Sequence, residues 1–485
     1  MALGSISFEQ EPTNAADKVP VITNWNPLIG YMLFQDDISD LYYFRLILEV
    51  YKGTSVVAAN LLAKIKQRRN GYSPDNAGAT QRARAFFDLR DIINTQLEDT
   101  VADVGTATKS IHTVGANTAT LPFSQNNNQV KQIFVKAYQQ YSDSASSIPT
   151  EDTTPTVNDT KFYIAASLDL NTARGTADFQ DTAFATYSLD GATKLFLSDV
   201  QEQGFDLAVS GTTGRLNYVQ STDYHTIGFL NGVSDFASDA YFIGIKFYDS
   251  SGNVINSPGG TAIEYISNTN ANGGANPDTE VNTNPERLIY FGCGPANLEA
   301  QSRNTEARPS GVSNWSFYTV QAYDSDATTP KSALYYFVNQ DGSCKGFKVR
   351  RLAWRNSKGC YDYFNFKKKS VQTINVVRDN YSSMLGNFNN DLYSYDNFKR
   401  GKTTRQTTAT LRETLNTDWI TEQDANLLEK LIMSTDAYIV ENADTDFTQA
   451  VMIKDSSFVK KTVANDKLIK YTINIEYANP VNTNS

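Results

Sequence analysis

The sequence predicts a mainly β protein: tandem β-sandwich domains, immunoglobulin/fibronectin-like or jelly-roll-like, with one or two short packed helices. Three observations predict it. The 27 Tyr and 26 Phe stand beside abundant Thr and Val, side chains that suit a pleated, half-buried surface. The 43 asparagines cluster between apolar runs, and Asn tolerates left-handed backbone and hydrogen-bonds its own turn, so it marks bends. Apolar residues also recur at period two in many short segments, the mark of half-buried strands. At 485 residues the chain has room for about three domains.

Residues 1–20 carry no core pattern and are expected to form an extended N-terminal arm. A β-sandwich domain is expected over 21–142. In it Tyr42, Phe44, Leu46, Leu48 and Val50 alternate on one strand face, as do Ile133, Val135 and Ala137 further on. Between these strands Asp88 is placed to cap a short helix that carries Leu89, Ile92 and Ile93 inward. A polar insert, 98–128, follows that helix. Residues 143–159, rich in Ser, Thr, Pro and Asp without apolar periodicity, read as a linker.

A second β domain is expected over 160–345. Tyr241, Ile243, Ile245 and Phe247 share a face there, Asp249–Asn253 supplies a hairpin turn, and 257–286 is a long polar loop rich in Gly and Asn. The third, over 346–478, has strands at 347–354, 370–377, 403–415 and 468–477. It also has one helix over 421–433. Thr421 with Asp424 three residues on forms a capping box with Asp in place of Glu. Ala425, Leu428, Leu431 and Ile432 make the stripe that packs this helix on the sheet. In the closing strand Ile469, Tyr471, Ile473, Ile475 and Tyr477 point one way and Lys470, Thr472, Asn474 and Glu476 the other. Residues 479–485 are a loose tail.

Chemistry-bearing residues are sparse. Two histidines, His112 and His225, exclude a His-rich metal site and leave a His-centred triad only two candidates. Asp223 can share a strand face with His225, but no G-x-S-x-G elbow completes a catalytic set, so a hydrogen-bonded structural histidine is expected. Three cysteines support neither a disulfide framework nor a C-x-x-C pair. Cys344 and Cys360 flank a basic stretch, where a disulfide or an activated thiolate is one reading and two small buried thiols the favoured one. Gly292 and Gly294 lack the third glycine of a dinucleotide fingerprint, and Pro295 follows where a helix should open, so a strand end with a tight turn is expected. Asp444 and Asp446 lack the loop of a calcium site and read as surface charge. A glycosidase needs only two carboxylates, and 53 acidic residues neither locate nor exclude such a pair. No catalytic residue, metal or cofactor is expected, and no enzyme activity. No apolar run reaches the roughly 18 residues of a membrane span, and the start lacks a signal-peptide pattern, so synthesis in a cytoplasm is expected.

The net charge of −10 and pI near 4.9 argue against nucleic acid as a partner. The charge is unevenly spread. From Lys345 to Arg412, 15 basic residues stand against four acidic ones, a local +11 that leaves −21 for the rest. A solvated strand face would account for this. The sharper expectation is a basic surface meeting an acidic neighbour, such as the acidic part of another copy. The candidate interface residues are Lys345, Lys348, Arg350, Arg351, Trp354, Arg355, Lys358, Lys367, Lys368, Lys369, Arg400 and Lys402.

Within this stretch the run RLAWRNSKGCYDYFNF, Arg351 to Phe366, resembles a recurring segment of bacteriophage tail proteins, especially from phages of Bacteroidetes-type hosts. Leu352, Trp354, Asn356, Gly359, Tyr361, Asp362, Phe364 and Phe366 carry the resemblance. Arg400–Gly401 ahead of a Thr-rich strand, the run from Thr414 to Ser434 and the closing LIKYTINIEYAN are similar too. The N-terminal part, with Asn26–Pro27 and its FDL helix, looks like the usual partner domain. The chain departs from the pattern in the inserts 98–128 and 257–286, and at Lys358 and Cys360, where small residues are usual. By itself Gly359 suits a left-handed turn, and Trp354 and Phe364 suit a core or an interface.

The resemblance implies a virion structural protein of a phage tail, a hub, ring or baseplate component made in the host cytoplasm. Its implied partners are other tail proteins and further copies of itself, and it implies no catalytic residues. A tail-tip receptor-binding or glycan-binding protein, with a host surface glycan as partner, is the alternative that abundant Tyr and Asn would suit. A capsule depolymerase is a third option with no positive sign in the sequence.

Overall fold

The computed structural model describes residues 5–12, 21–24, 30–36, 38, 41–68, 82–97, 111–113, 123–125, 129–167, 186–187, 189–205, 212–230, 240–268, 288–301, 309–312, 314–342, 346–389, 392–394, 401–440, 448–457, 459 and 469–479. Among them strands dominate and helices are few and short, so the protein is mainly β. The chain divides into two compact units. One holds Met1–Asn217, Ser221–Asn339 and Asn356–Asp362, the other Tyr218–Gln220, Gln340–Arg355 and Tyr363–Ser485.

The first unit opens with a sandwich. A five-stranded sheet runs in the order β2 (Val21–Asn24), β9 (Thr150–Ser167), β8 (Val130–Ser142), β4 (Tyr42–Lys52) and β5 (Leu61–Arg68). A three-stranded sheet holds β1 (Ile6–Gln10), β3 (Tyr31–Gln35) and β6 (Ala83–Phe87). The two sheets share one core. Leu46, Leu48, Val50, Ile133, Val135 and Ala137 come from the larger sheet, and Ile6, Tyr31, Leu33 and Phe87 from the smaller. The register sets Leu48 opposite Ala137 and Val50 opposite Val135, so period two on each strand becomes one apolar face. Ile93 of helix α1 (Arg90–Asn94) and Leu89 just before it close the core. The N-cap is Leu89 and not Asp88 as expected; Asp88, one residue earlier, accepts the backbone N–H of Arg90 at 3.0 Å.

Two expectations change here. Residues 6–10, read as part of an extended arm, pair with β3 and bury Ile6. Residues 143–159, read as a linker, contain a turn and then the first part of β9, which pairs with β8 from Tyr141↔Thr150 onward. Thr-rich polar sequence can hold a strand because the ladder is made by backbone groups and Thr is β-branched. The expected first and second domains therefore fall within one unit.

The same unit carries a seven-stranded sheet. It contains β10 (Glu202–Phe205), β11 (Thr212–Val219), β18 (Tyr335–Asn339), β17 (Phe317–Tyr323), β13 (Phe242–Tyr248) and β14 (Val254–Ile255), with β15 (Glu264–Ser267) also on β13. Ile243, Ile245 and Phe247 are buried along β13, and Asp249 accepts the N–H groups of Ser251 and Asn253 to close the β13–β14 hairpin. A further three-stranded sheet joins β12 (Thr226–Leu230), β16 (Leu288–Gly292) and β7 (Phe123–Gln125). Every residue of β12 and β16 is buried. Two stretches expected to be polar inserts thus supply strands: β7 lies in 98–128 and β15 in 257–286. The rest of the second loop beyond residue 268, Asn26–Pro27, and the tail from residue 480 lie outside the described residues.

Helix α2 (Pro295–Ala300) opens directly after the Gly292–Gly294 strand end, where a turn without a helix was expected. Proline in the first helical turn is favourable, since its φ is already helical and its missing N–H would have had no partner in the helix.

The second unit is built on a sheet in the order β20 (Tyr361–Phe366), β19 (Arg350–Arg355), β25 (Ala437–Val440), β26 (Thr448–Ile453), β27 (Thr472–Tyr477), β24 (Lys402–Asn416) and β21 (Val371–Ser382). A small hairpin, β22 (Asn387–Asn389) with β23 (Leu392–Ser394), stands apart. Along the closing strand Ile469, Tyr471, Ile473, Ile475 and Tyr477 are buried, as their alternation requires. Helix α3 (Glu422–Met433) buries Ala425, Leu428 and Leu431. Its capping box is complete: the Asp424 N–H donates to Thr421 Oγ1 at 3.2 Å, and the Thr421 N–H donates to Asp424 Oδ2 at 3.4 Å. Only Arg412–Asn416 of β24 pair with β27; the rest of β24 pairs with β21 alone, as a two-stranded ribbon.

Thr421→Ala removes one half of the box, and the expected loss is about 1 kcal/mol of unfolding free energy in urea denaturation.

Candidate functional site

At least five of the nine described basic residues proposed as an interface have partners within the fold. Arg350 is buried in the second unit, where its Nε donates to Glu413 Oε1 at 2.8 Å. Glu413 Oε2 accepts from Tyr477 Oη at 2.6 Å and Gln372 Nε2 at 3.0 Å. Burial pushes the Glu413 carboxyl up, but the bonds from Tyr477, Arg350 and Gln372 outweigh it and hold it below the usual range. Arg351 is buried too, donating to Asn365 Oδ1 at 2.7 Å with its guanidinium 5.0 Å from the Tyr363 ring centre. Trp354 is fully buried, and its indole N–H meets no acceptor among the described residues.

Arg355 lies 3.8 Å from Asp436, Lys358 3.6 Å from Asp199 and Lys368 2.9 Å from Asp418. Lys348, Lys369 and Lys402 are exposed, and Lys367 is half-buried. Lys345 and Arg400 lie outside the described residues, as do Cys344, Asp444 and Asp446. Arg350, Arg351 and Trp354 are thus core residues of a strand covered on both faces, not surface anchors. The Arg350 partner Glu413 is 63 residues away, and the Arg351 partner Asn365 carries no charge, so a local charge count misses both. Glu413 itself carried a signal, since it sits between Leu411 and Leu415 on one strand face.

In the first unit, residues 356–362 form a turn held by backbone and side-chain hydrogen bonds. Asn356 donates its own N–H to the Cys360 carbonyl at 2.7 Å. Its Oδ1 accepts the N–H groups of Lys358 and Cys360 at 3.0 Å each. Its Nδ2 donates to the Leu197 carbonyl at 2.9 Å. Gly359 has φ +84°, and a Cβ there would lie 2.7 Å from the Ala165 carbonyl oxygen, so glycine is required twice over.

Asp362 is buried and accepts the Ser198 hydroxyl at 2.6 Å and the Asp199 N–H at 2.8 Å. Asp199 in turn accepts the N–H of Ser357 at 2.7 Å and the Ser357 hydroxyl. Burial pushes the Asp362 carboxyl up to about 7 and the neighbouring Asp199 carboxylate adds to this, against hydrogen bonds from Ser198, the Asp199 backbone and Asn356. Both Asp362 oxygens are engaged in holding the turn. Cys360 is a buried thiol in no disulfide, packed on Gly228, where a Cβ would collide with its sulfur.

The remaining candidates are also structural. The His225 N–H donates to Asn297 Oδ1 at 2.8 Å, its carbonyl accepts the N–H groups of Cys293 and Gly294, and its ring meets Phe337 edge-on at 5.0 Å. The Asp223 carbonyl accepts the Ala296 N–H at 3.1 Å, so 223–225 serves as a backbone dock for α2. A Cβ at Gly294 would collide with the His225 nitrogen, which explains that glycine without a nucleotide. His112 is buried edge-on to Tyr361 at 4.9 Å. Among the described residues no group of three or more His, Cys, Asp or Glu is placed to hold a metal ion, and no helix is long and apolar enough to cross a membrane.

One surface escaped the sequence reading. The β21–β24 ribbon exposes apolar side chains on both faces: Ile374 and Val376 on one, Val371, Val377 and Tyr381 on the other. The absence of strict alternation in VQTINVV was the available sign, because a strand with one covered face sorts its apolar residues to one parity. Comparison with protein-family models and with curated proteins finds no match to this chain.

Arg350→Ala leaves the Glu413 carboxylate buried without its cation and is expected to cost about 3–5 kcal/mol, whereas Lys369→Ala stays within about 0.5 kcal/mol. Equal effects in guanidinium unfolding would return Arg350 to the surface. Asp362 keeps a proton in the folded state that the unfolded chain releases above about pH 4, so its contribution to stability declines as pH rises from about 4 to 7. Urea titrations of wild type and Asp362→Asn across that range are expected to show the variant gaining on wild type as pH rises.

Proposed function

We propose that this chain is a virion structural protein of a bacteriophage tail, a hub, ring or baseplate component that docks neighbouring tail proteins. The observation that carries the proposal is the use made of the tail-protein-like segment. Asn356, Gly359 and Asp362 form and anchor a buried turn, and Trp354 fills a core. Residues of that kind matter to an architectural protein because they hold shape rather than carry out chemistry. The β-sandwich and the long exposed ribbon support the same reading, since assembly needs rigid bodies that present contact surfaces.

The experiment is compositional. Purified phage particles are expected to contain the chain in a fixed copy number, located on the tail by antibody labelling. Its presence only in the cytosol of infected cells would remove the proposal. Binding of the isolated chain to host cells, blocked by a host polysaccharide, would replace it with the receptor-binding alternative.

A further inference from the structure

We propose that the β21–β24 ribbon is the contact by which one copy of this chain seats on the acidic body of the next. The inference rests on the tail reading and names the surface that would build the assembly.

The ribbon's geometry is that of an interaction arm. β21 is the last strand of its sheet, so along Val371–Ser382 one row of backbone N–H and C=O groups has no strand partner among the described residues. Proteins normally blunt or cover such an edge. Here the chain instead exposes Val377 at 71% and Ile374 at 56%, with Met384 and Leu385 exposed just beyond the strand. A two-stranded ribbon is at best marginally stable by itself in water, so packing against a neighbour would also stabilise the arm.

Charge selects the occupant. The described ribbon strands, 371–382 and 402–411, hold three basic side chains (Arg378, Lys402, Arg405) and one acidic one (Asp379). That net +2 leaves −12 on the remainder of a chain whose total is −10. Two ribbons brought together would repel. A ribbon on the acidic body of another copy is attracted, and each chain carries both halves of the contact. Such a contact is head-to-tail, and head-to-tail contacts close into rings or run on as filaments.

The test uses the full chain in sedimentation velocity at about 0.1 M and about 0.5 M salt. Wild type is expected to self-associate, more weakly at the higher salt. Arg378→Glu with Arg405→Glu, both exposed positions, is expected to weaken association at least about tenfold with an unchanged melting curve. Val377→Asp, at the most exposed apolar site of the strand, should do the same. Tagged wild type should still capture either variant, because a variant's body accepts a wild-type ribbon. Variants that associate like wild type, or a wild type that stays monomeric at every concentration, would overturn the proposal. Failure of capture would overturn the ribbon-on-body arrangement and indicate ribbon-on-ribbon pairing. Particle composition is scored separately, so a monomeric chain found in virions would end this inference and leave the tail reading standing.

Discussion

A strand covered on both faces buries a charged or amide side chain only beside a partner, because desolvating one costs several kcal/mol unless a hydrogen bond replaces water. That constraint organises the segment from Arg350 to Phe366. β20 is buried along its whole length and β19 nearly so, yet between them they carry Arg350, Arg351, Asp362 and Asn365. Each has a partner: Glu413 for Arg350, Asn365 for Arg351, and Ser198 with the Asp199 backbone for Asp362. The turn joining the strands obeys the same rule, with the Asn356 amide absorbing two backbone N–H groups and giving its own protons to the Leu197 carbonyl.

The edge at the other end of the sheet is under no such constraint. β21 is exposed at every residue but Asn375 and carries apolar residues at both parities. One sheet thus has a strand where polar side chains are buried and paired, and another where apolar side chains face water. The first arrangement gives a rigid, singular packing, and the second leaves surface for a partner to cover.

Charge shows how composition and structure part company. The stretch from Lys345 to Arg412 is basic by count, and a basic face was the natural expectation. Arg355, Lys358 and Lys368 instead sit near Asp436, Asp199 and Asp418, acids supplied by other parts of the chain. Exposed positive charge survives at Lys348 and Lys369 and, on the ribbon, at Arg378, Lys402 and Arg405. The candidate contact therefore moves from β19 and its turn to the arm beyond.

What the sequence by itself determined are the features set by neighbours along the chain. The β class, the alternation of the closing strand, the Asp249 hairpin and the Thr421–Asp424 box all depend on residues at most a few positions apart, and each is present as read. Only the tertiary structure decided that 150–159 is a strand, that β7 within a polar insert pairs with β16, and that Arg350, Arg351 and Trp354 are core. The reason is physical. A β-ladder is formed by backbone groups that any residue except proline possesses, and a buried charge is settled by whichever distant side chain the fold brings to it. Neither is written in local side-chain pattern.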